Sequence, residues 1–190
     1  MKKFIKLIVL VIAIVSIVGV STVTEFLKDH GIEIPSELDS IVTTETSVLL
    51  EGPYTVKRVV DGDTIVVAIN GKDEKVRMIG VNTPESVHVD ENKNTEEGKV
   101  ASDYTKSILT GTEVYLEYDE DKYDDYNRLL AYVYISEDEM YNLHLIEEGY
   151  AQVMTIEPNT KYETTFSKAE SEAKNNYIGF WADVWNGEIN

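Results

Sequence analysis

The stretch of sequence that decides the fold runs from residue 54 to residue 81 and reads YTVKRVVDGDTIVVAINGKDEKVRMIGV. Two of its segments, residues 55–60 and 64–69, are rich in β-branched side chains, and a third strand is expected over residues 75–81. The turn sequences Asp61-Gly62-Asp63 and Asn70-Gly71 separate the three segments. This order predicts a three-stranded antiparallel meander.

The rest of the chain adds helices and two more strands. We expect helices over residues 99–109 and 140–148, and strands over residues 113–118 and 129–135. A last amphipathic helix is predicted from five apolar residues at helical spacing, namely Phe166, Ala169, Ala173, Tyr177 and Phe180. Three strands, a helix, two strands and two helices fit an α+β, mainly β domain, for which a five-stranded OB-fold barrel is one known solution.

The first residues have the pattern of a targeting segment. Residues 1–6 contain three lysines, and residues 7–24 run without a charged side chain. A cleavable signal peptide and an uncleaved anchor both begin this way. The segment offers no Ala-x-Ala cleavage site, so we expect a membrane anchor with the rest of the chain on the extracellular face, and secretion is the alternative. The predicted divisions are therefore 1–24 (signal peptide or anchor), 25–50 (acidic spacer) and 51–187 (folded domain).

Composition restricts the chemistry of the chain. It has 17 Lys and Arg against 35 Asp and Glu, a formal net charge of −18. Such a charge repels polyanions at long range and argues against a nucleic-acid partner. The chain contains no cysteine, which excludes disulfides, thiolate catalysis and Cys-ligated zinc.

Two clusters of polar residues follow the predicted strands. Asp61 and Asp63 place two carboxylates at a strand edge, where they can share a hard cation such as Ca²⁺, and a solvated turn is the alternative. Arg77, Asn82 and Glu85 then supply a guanidinium, a neutral oxygen and a carboxylate. The planar guanidinium matches phosphate oxygens, although a surface Arg–Glu pair beside a turn is the alternative here.

A second arginine precedes the strand predicted over residues 129–135. Arg128 can reach the same phosphate as Arg77, or it can simply balance the acidic loop 119–125. Phosphodiester hydrolysis builds up negative charge that a cation and two arginines would stabilise, while a carboxylate would orient or deprotonate the attacking water. We expect both arginines to face solvent at one site.

Four motifs together resemble the staphylococcal nuclease (thermonuclease) family. They are VDGDT (60–64), VRMIGVNTPE (76–85), YNRLLAY (126–132) and Gly179-Phe180-Trp181, and the resemblance covers residues 54–185. It implies an OB-fold, Ca²⁺ dependence and cleavage of DNA and RNA to products that end in 3′-phosphate. We expect the chain to act as a monomer.

The resemblance also implies a metal site. Asp63 matches the metal-binding aspartate, Asp61 matches a companion near the metal, and Thr83 matches the position whose backbone carbonyl binds it. Asn82 stands where the family has a second metal-binding aspartate. Its amide oxygen can bind Ca²⁺ but brings no charge, so we expect a weaker site.

Catalytic and substrate-binding roles are implied in the same way. Arg77 and Arg128 match the phosphate-binding arginines, Glu85 matches the catalytic carboxylate that is usually described as a general base, and Tyr126 matches a tyrosine near the phosphate of the nucleotide.

Two further positions depart from the family pattern. Asn127 replaces a glycine, which is a mild change because asparagine tolerates the left-handed conformation. Ile156 stands where the family has a tyrosine for the base, so weaker nucleotide binding is expected. We interpret the twelve tyrosines of the chain as packing residues.

Two functions other than a nuclease are compatible with parts of this sequence. A non-catalytic nucleic-acid-binding module of the same family would not need the catalytic residues. A Ca²⁺-binding spacer or adhesion domain would explain the acidity but leaves both arginines unexplained. The nuclease is favoured because Asp63, Arg77, Glu85 and Arg128 are all present.

Overall fold

The structure is a computed structural model and describes residues 49–86 and 94–182. In these residues it has strands β1 (Glu51–Asp61), β2 (Thr64–Ile69), β3 (Lys72–Met78), β4 (Gly80–Asn82), β5 (Glu113–Glu117), β6 (Leu129–Ser136), β7 (Glu139–Met140) and β8 (Gln152–Met154). The helices are α1 (Glu96–Leu109), α2 (Tyr141–Glu147), α3 (Glu163–Asn175) and the 3-10 turn η1 (Gly179–Trp181).

Five of the strands close into a barrel. β1 pairs with β2 and β5, β2 pairs with β3, and β5 pairs with β6, all antiparallel. The ring is closed by β3 and β6, which run parallel. Closure removes the free sheet edges that an open meander would leave. The predicted mainly β, five-stranded OB-type barrel with three helices is confirmed.

The barrel interior is filled by the β-branched and aliphatic residues of the meander. Ile65, Val67 and Val76 are fully buried. The register of β2 and β3 pairs Thr64 with Arg77, so Arg77 lies opposite the Asp61-Gly62-Asp63 turn. The sheet register therefore brings together two motifs that the sequence separates.

The strand predicted over residues 75–81 is in fact two strands. β3 begins earlier, at Lys72, and ends at Met78. Gly80 has a φ of 76°, a left-handed conformation that turns the chain out of β3 and starts β4. β4 then pairs with β8, a three-residue strand that its sequence did not indicate.

The prediction of one helix through Phe180 was wrong at its C-terminal end. α3 covers Glu163–Asn175, and Tyr177 has a left-handed φ of 56° that ends the helical path. Tyr177 is 66% exposed. Phe180 lies in η1 and packs edge-on against Tyr150, with 5.4 Å between ring centroids. Phe180 is therefore apolar because it packs on Tyr150, not because it lies on α3. Its position only coincides with the helical spacing of the residues before it.

The predicted targeting segment, residues 1–24, and most of the predicted spacer lie outside the described residues. Among the residues that are described, no helix is both long enough and apolar enough to cross a membrane.

Candidate active site

A buried ion pair lies at the turn between β1 and β2. The Arg77 Nη2 atom is 3.1 Å from the Asp63 Oδ2 atom, and both residues are at most 9% exposed. The backbone N–H and the hydroxyl of Thr83 also donate to Asp63 Oδ2, at 3.0 and 3.2 Å. The Thr64 hydroxyl donates to Asp63 Oδ1 at 3.0 Å. Through these contacts Asp63 connects the turn between β1 and β2 to β3 and to the segment that follows β4.

Arg77 is held by backbone carbonyls as well as by Asp63. Its Nη1 atom donates to the carbonyl oxygens of Met78 (2.6 Å) and Val81 (2.8 Å). Its Nη2 atom is 3.4 Å from the Asn82 Oδ1 atom. The expectation that Arg77 faces solvent was wrong, because the chain reversal between β3 and β4 wraps these carbonyls around the guanidinium.

Asp61 is a second buried carboxylate, and it is 7% exposed. Its Oδ1 atom accepts hydrogen bonds from the Ser86 hydroxyl (2.7 Å) and the Gly62 N–H (2.9 Å). Across residues 49–86 and 94–182, no Lys, Arg or His nitrogen lies within 4.0 Å of this carboxylate. A buried charge without a cationic partner is costly, so the position favours a bound cation.

The oxygens around this turn fit a hard divalent ion. Asp61 and Asp63 would supply carboxylates to such an ion, and the family resemblance adds the backbone carbonyl of Thr83 in the adjoining segment. In the part of the chain that the structure describes, no group of three acidic, His or Cys side chains is placed to hold a metal ion. A cation bound by these two carboxylates would therefore need neutral oxygen ligands as well, and Thr83 and Asn82 offer oxygens of this kind.

Glu85 is placed by close packing against the first turn of α1. Its carbonyl oxygen accepts a hydrogen bond of 2.9 Å from the N–H of Thr95, the residue that caps α1. A Cβ atom at Gly98 would collide with the backbone of Glu85, so only glycine permits this approach. The Glu85 side chain is exposed. Helix α1 thus fixes the backbone that carries the predicted catalytic carboxylate.

Arg128 reaches the site through the parallel pairing of β3 and β6. Val76 pairs with Leu129 and Arg77 with Leu130, so Arg128 directly precedes the stretch of β6 that runs alongside Arg77. Its Nε atom is 2.6 Å from the Asp124 Oδ2 atom, and its N–H donates to Asp124 Oδ1 at 2.8 Å.

The backbone before Arg128 is held in a fixed turn. Asn127 has a left-handed φ of 58°, which confirms the expectation that asparagine tolerates this position. Partial burial would by itself raise the pKa of Asp124, but hydrogen bonds from the backbone and side chain of Arg128 outweigh it and lower the pKa from its ordinary value of 3.8. Since this pKa is depressed, the stabilisation from the pair is present above pH 3.8 and is lost as pH falls through the lowered pKa.

The two arginines line one cleft of about 360 Å³. One wall is the loop before β6, where Tyr126 is 82% exposed and the Arg128 guanidinium carbon is 5.5 Å from its ring centroid. The other wall is the loop after β8. Asn159 bridges the two loops, because its amide group accepts from the Asp121 N–H (2.8 Å) and donates to the Asp121 carbonyl (2.9 Å).

The structure brings most of the predicted site residues together. Around the turn lie Asp61, Asp63, Arg77, Asn82 and Thr83, and the cleft beside them holds Arg128 and Tyr126.

Two supporting residues were not predicted from the sequence. Ser86 binds the Asp61 carboxylate, and Asp124 orients Arg128. Asp124 lies four residues before Arg128, a spacing that could have indicated the pair, but Ser86 carries no such signal.

Comparison with known proteins gives the family of the chain. The family described as Staphylococcal nuclease homologue matches residues 75–183. The chain belongs to the staphylococcal nuclease family. Over 131 residues it is 46% identical to the thermonuclease of Staphylococcus intermedius, covering 67% of this chain and 75% of that protein. Over 136 residues it is 43% identical to the thermonuclease of Staphylococcus hyicus, covering 70% of this chain and 78% of that protein.

A more distant relative is the endonuclease YncB of Bacillus subtilis. It is 39% identical over 130 residues, which is 67% of this chain and 61% of that protein. The family resemblance predicted from the motifs is therefore confirmed, and with it the prediction of a nuclease hydrolase.

Proposed function

We propose that this chain is a Ca²⁺-dependent nuclease that hydrolyses phosphodiester bonds of DNA and RNA and leaves 3′-phosphate ends. One observation carries the proposal: Arg77 and Arg128, which come from two separate sequence motifs, line a single cleft, and Arg77 contacts the buried carboxylate of Asp63 in the turn that also holds Asp61. Two arginines next to an oxygen-rich cation site supply the positive charge that a phosphodiester substrate requires. All of these residues come from one barrel, so a monomer suffices.

In this proposal the residues divide the reaction between them. Arg77 and Arg128 bind the scissile phosphate and stabilise the negative charge that grows on its oxygens. Glu85 takes a proton from the attacking water as the new oxygen–phosphorus bond forms. The bond from phosphorus to the 5′-oxygen breaks, the 5′-oxygen takes a proton from solvent, and the phosphate stays on the 3′-side. Bound Ca²⁺ would supply further positive charge to the phosphate.

The proposal is tested by digesting plasmid DNA and RNA with the full-length protein in Ca²⁺, in Mg²⁺ and in chelator. Cleavage should appear with Ca²⁺, and the new 3′ ends should lose inorganic phosphate to a phosphatase. The Arg58→Ala variant is a matched control, since Arg58 is an exposed arginine of β1. If no divalent ion gives cleavage above that of the chelated sample, the proposed nuclease activity is refuted. Binding of nucleic acid without cleavage would instead support a non-catalytic binding module.

Asn82 leads to a prediction about the metal. Because Asn82 gives no charge to the cation, Asn82→Asp should shift the Ca²⁺ activation curve to lower concentration. The Asn82 Oδ1 atom is 3.4 Å from Arg77 Nη2, so a carboxylate there also lies beside a cation. Titrating Ca²⁺ against cleavage rate for both proteins decides the matter. An unchanged or higher midpoint removes Asn82 from the metal site.

We infer that the enzyme works on the extracellular face of the membrane. The support is the lysine-flanked apolar segment 7–24, which lacks a good cleavage site. The protein is expected in the membrane fraction with its N-terminal segment intact. The check is N-terminal sequencing of protein recovered from the culture medium. A mature chain that begins after residue 20 would refute the membrane anchor and would show that the protein is secreted.

A further inference from the structure

The proposed active-site cleft exposes apolar side chains as well as cationic ones. Four of its lining residues are large exposed hydrophobics: Tyr123 (52%), Tyr126 (82%), Met154 (37%) and Ile156 (62%). Exposed apolar side chains gathered in one place mark a binding surface. Beside two phosphate-binding arginines, the chemical group that matches an apolar surface is a nucleobase, which presents a flat π-face to aromatic side chains.

We propose that Tyr123 is the platform on which one base of the nucleic-acid strand stacks when the neighbouring phosphate lies between Arg77 and Arg128. The inference rests on the proposed nuclease function and adds a substrate-binding residue to it. Nothing in the sequence motifs points to Tyr123, because it lies three residues before the YNRLLAY motif, in the acidic loop.

The backbone of Tyr123 is held in place by β6. The N–H of Leu130 donates to the Lys122 carbonyl at 2.9 Å, and the N–H of Asp124 donates to the Arg128 carbonyl at 3.1 Å. Tyr123 itself forms an antiparallel bridge with Leu129. The residue is therefore positioned by the same strand that positions Arg128, and little backbone ordering remains to be done when substrate binds.

The ring of Tyr123 is available for a ligand. Within residues 49–86 and 94–182, neither an aromatic ring nor a cation is in stacking contact with it, whereas Lys122 lies over Tyr118 and Arg128 lies near Tyr126. About half of Tyr123 is exposed even though its backbone is fixed.

The other exposed residues of the cleft are less suited to this role. Ile156 and Met154 have no π-face. The Tyr126 ring already faces a cation, since its centroid lies 5.5 Å from the Arg128 guanidinium carbon, and the family resemblance places Tyr126 near the phosphate of the nucleotide. Tyr123 is the remaining aromatic side chain of the cleft lining.

A double-mutant cycle between the protein and the substrate tests the proposal. The substrates are short single-stranded oligonucleotides in which one linkage is a phosphodiester and the others are methylphosphonates. One version has every base, and two others lack the base on the 5′ or the 3′ side of the cleavable linkage. Tyr123→Ala should lower kcat/KM on the complete substrate by roughly 5- to 150-fold, the equivalent of ~1–3 kcal/mol for one stacked base.

The loss should disappear on one of the two abasic substrates, because that substrate has no base to stack. Tyr123→Phe keeps the ring and should retain kcat/KM within about twofold. Tyr123→Leu keeps an apolar side chain without a π-face and should show the same base-dependent loss as Tyr123→Ala, so the proposal is still tested if Tyr123→Ala does not fold. Tyr177→Ala removes an exposed tyrosine that does not line the cleft and should change nothing.

Two results would overturn the proposal. One is an unchanged kcat/KM for Tyr123→Ala, and the other is an equal loss on all three substrates. Failure of the nuclease function itself has a different signature, since the wild type would then cleave no substrate. In that event, titrating the same labelled oligonucleotides for binding still reports whether Tyr123 and one base are coupled.

Discussion

Arg128→Ala should lower the turnover of DNA by at least about 10²-fold, the scale expected when one charge contact to a transition state is removed. The fold should survive the change, because the Arg128 side chain is 31% exposed and its ion pair with Asp124 is local, four residues away in sequence. The measurement is single-turnover cleavage at saturating enzyme, with the melting temperature as the check on folding.

Two companion variants separate charge from geometry. Arg128→Lys keeps a positive charge but loses the planar fork, so it should recover only part of the turnover. Asp124→Asn keeps Arg128 but removes the carboxylate that orients it through a 2.6 Å contact, so a smaller loss is expected. If Arg128→Ala turned over DNA at a near-normal rate, Arg128 would not contact the scissile phosphate.

Arg77→Ala should be damaging in two ways at once. Turnover should fall by at least about 10²-fold, for the same electrostatic reason. The free energy of unfolding should also fall by about 3–5 kcal/mol, because the substitution leaves the buried Asp63 carboxylate without its cation. Chemical denaturation gives the second quantity independently of activity.

The double variant Arg77→Ala, Asp63→Asn tests whether the two losses have different origins. Removing the uncompensated charge should restore part of the lost stability, whereas turnover should stay low because the cation site has lost a ligand. Arg58→Ala again serves as the matched control for losing an arginine. Wild-type stability in Arg77→Ala would contradict the structural role that the contacts of Arg77 imply.

Much of the barrel was predictable because its signals are local. The β-branched segments and the turn sequences at residues 61–63 and 70–71 specify the meander without reference to the rest of the chain. β8 could not be predicted, because its three residues form a strand only by pairing with β4. The predicted extension of α3 through Tyr177 was wrong, because the spacing of apolar residues does not show that Tyr177 has a left-handed backbone conformation.

The candidate active site shows the same difference between features that are set by neighbouring residues and features that depend on contacts distant in sequence. The motifs indicated Asp63, Arg77 and Arg128, and the structure groups them around one turn and one cleft. The burial of Arg77 was missed, since it depends on carbonyls that only the chain reversal after Met78 brings to the guanidinium. Ser86 was missed for a similar reason, because its contact with Asp61 spans 25 residues.

The parallel pairing of β3 with β6 determines when the protein can become active. Arg77 is already present in a growing chain while the residues of β6 are still to be made, so an incomplete chain holds only one of its two phosphate contacts. Joining such distant segments requires closing a long loop, which makes it a late and slow event in folding. We therefore expect catalysis to begin only after β3 and β6 have paired and closed the barrel. A chain that is truncated before β6 is therefore expected to be inactive.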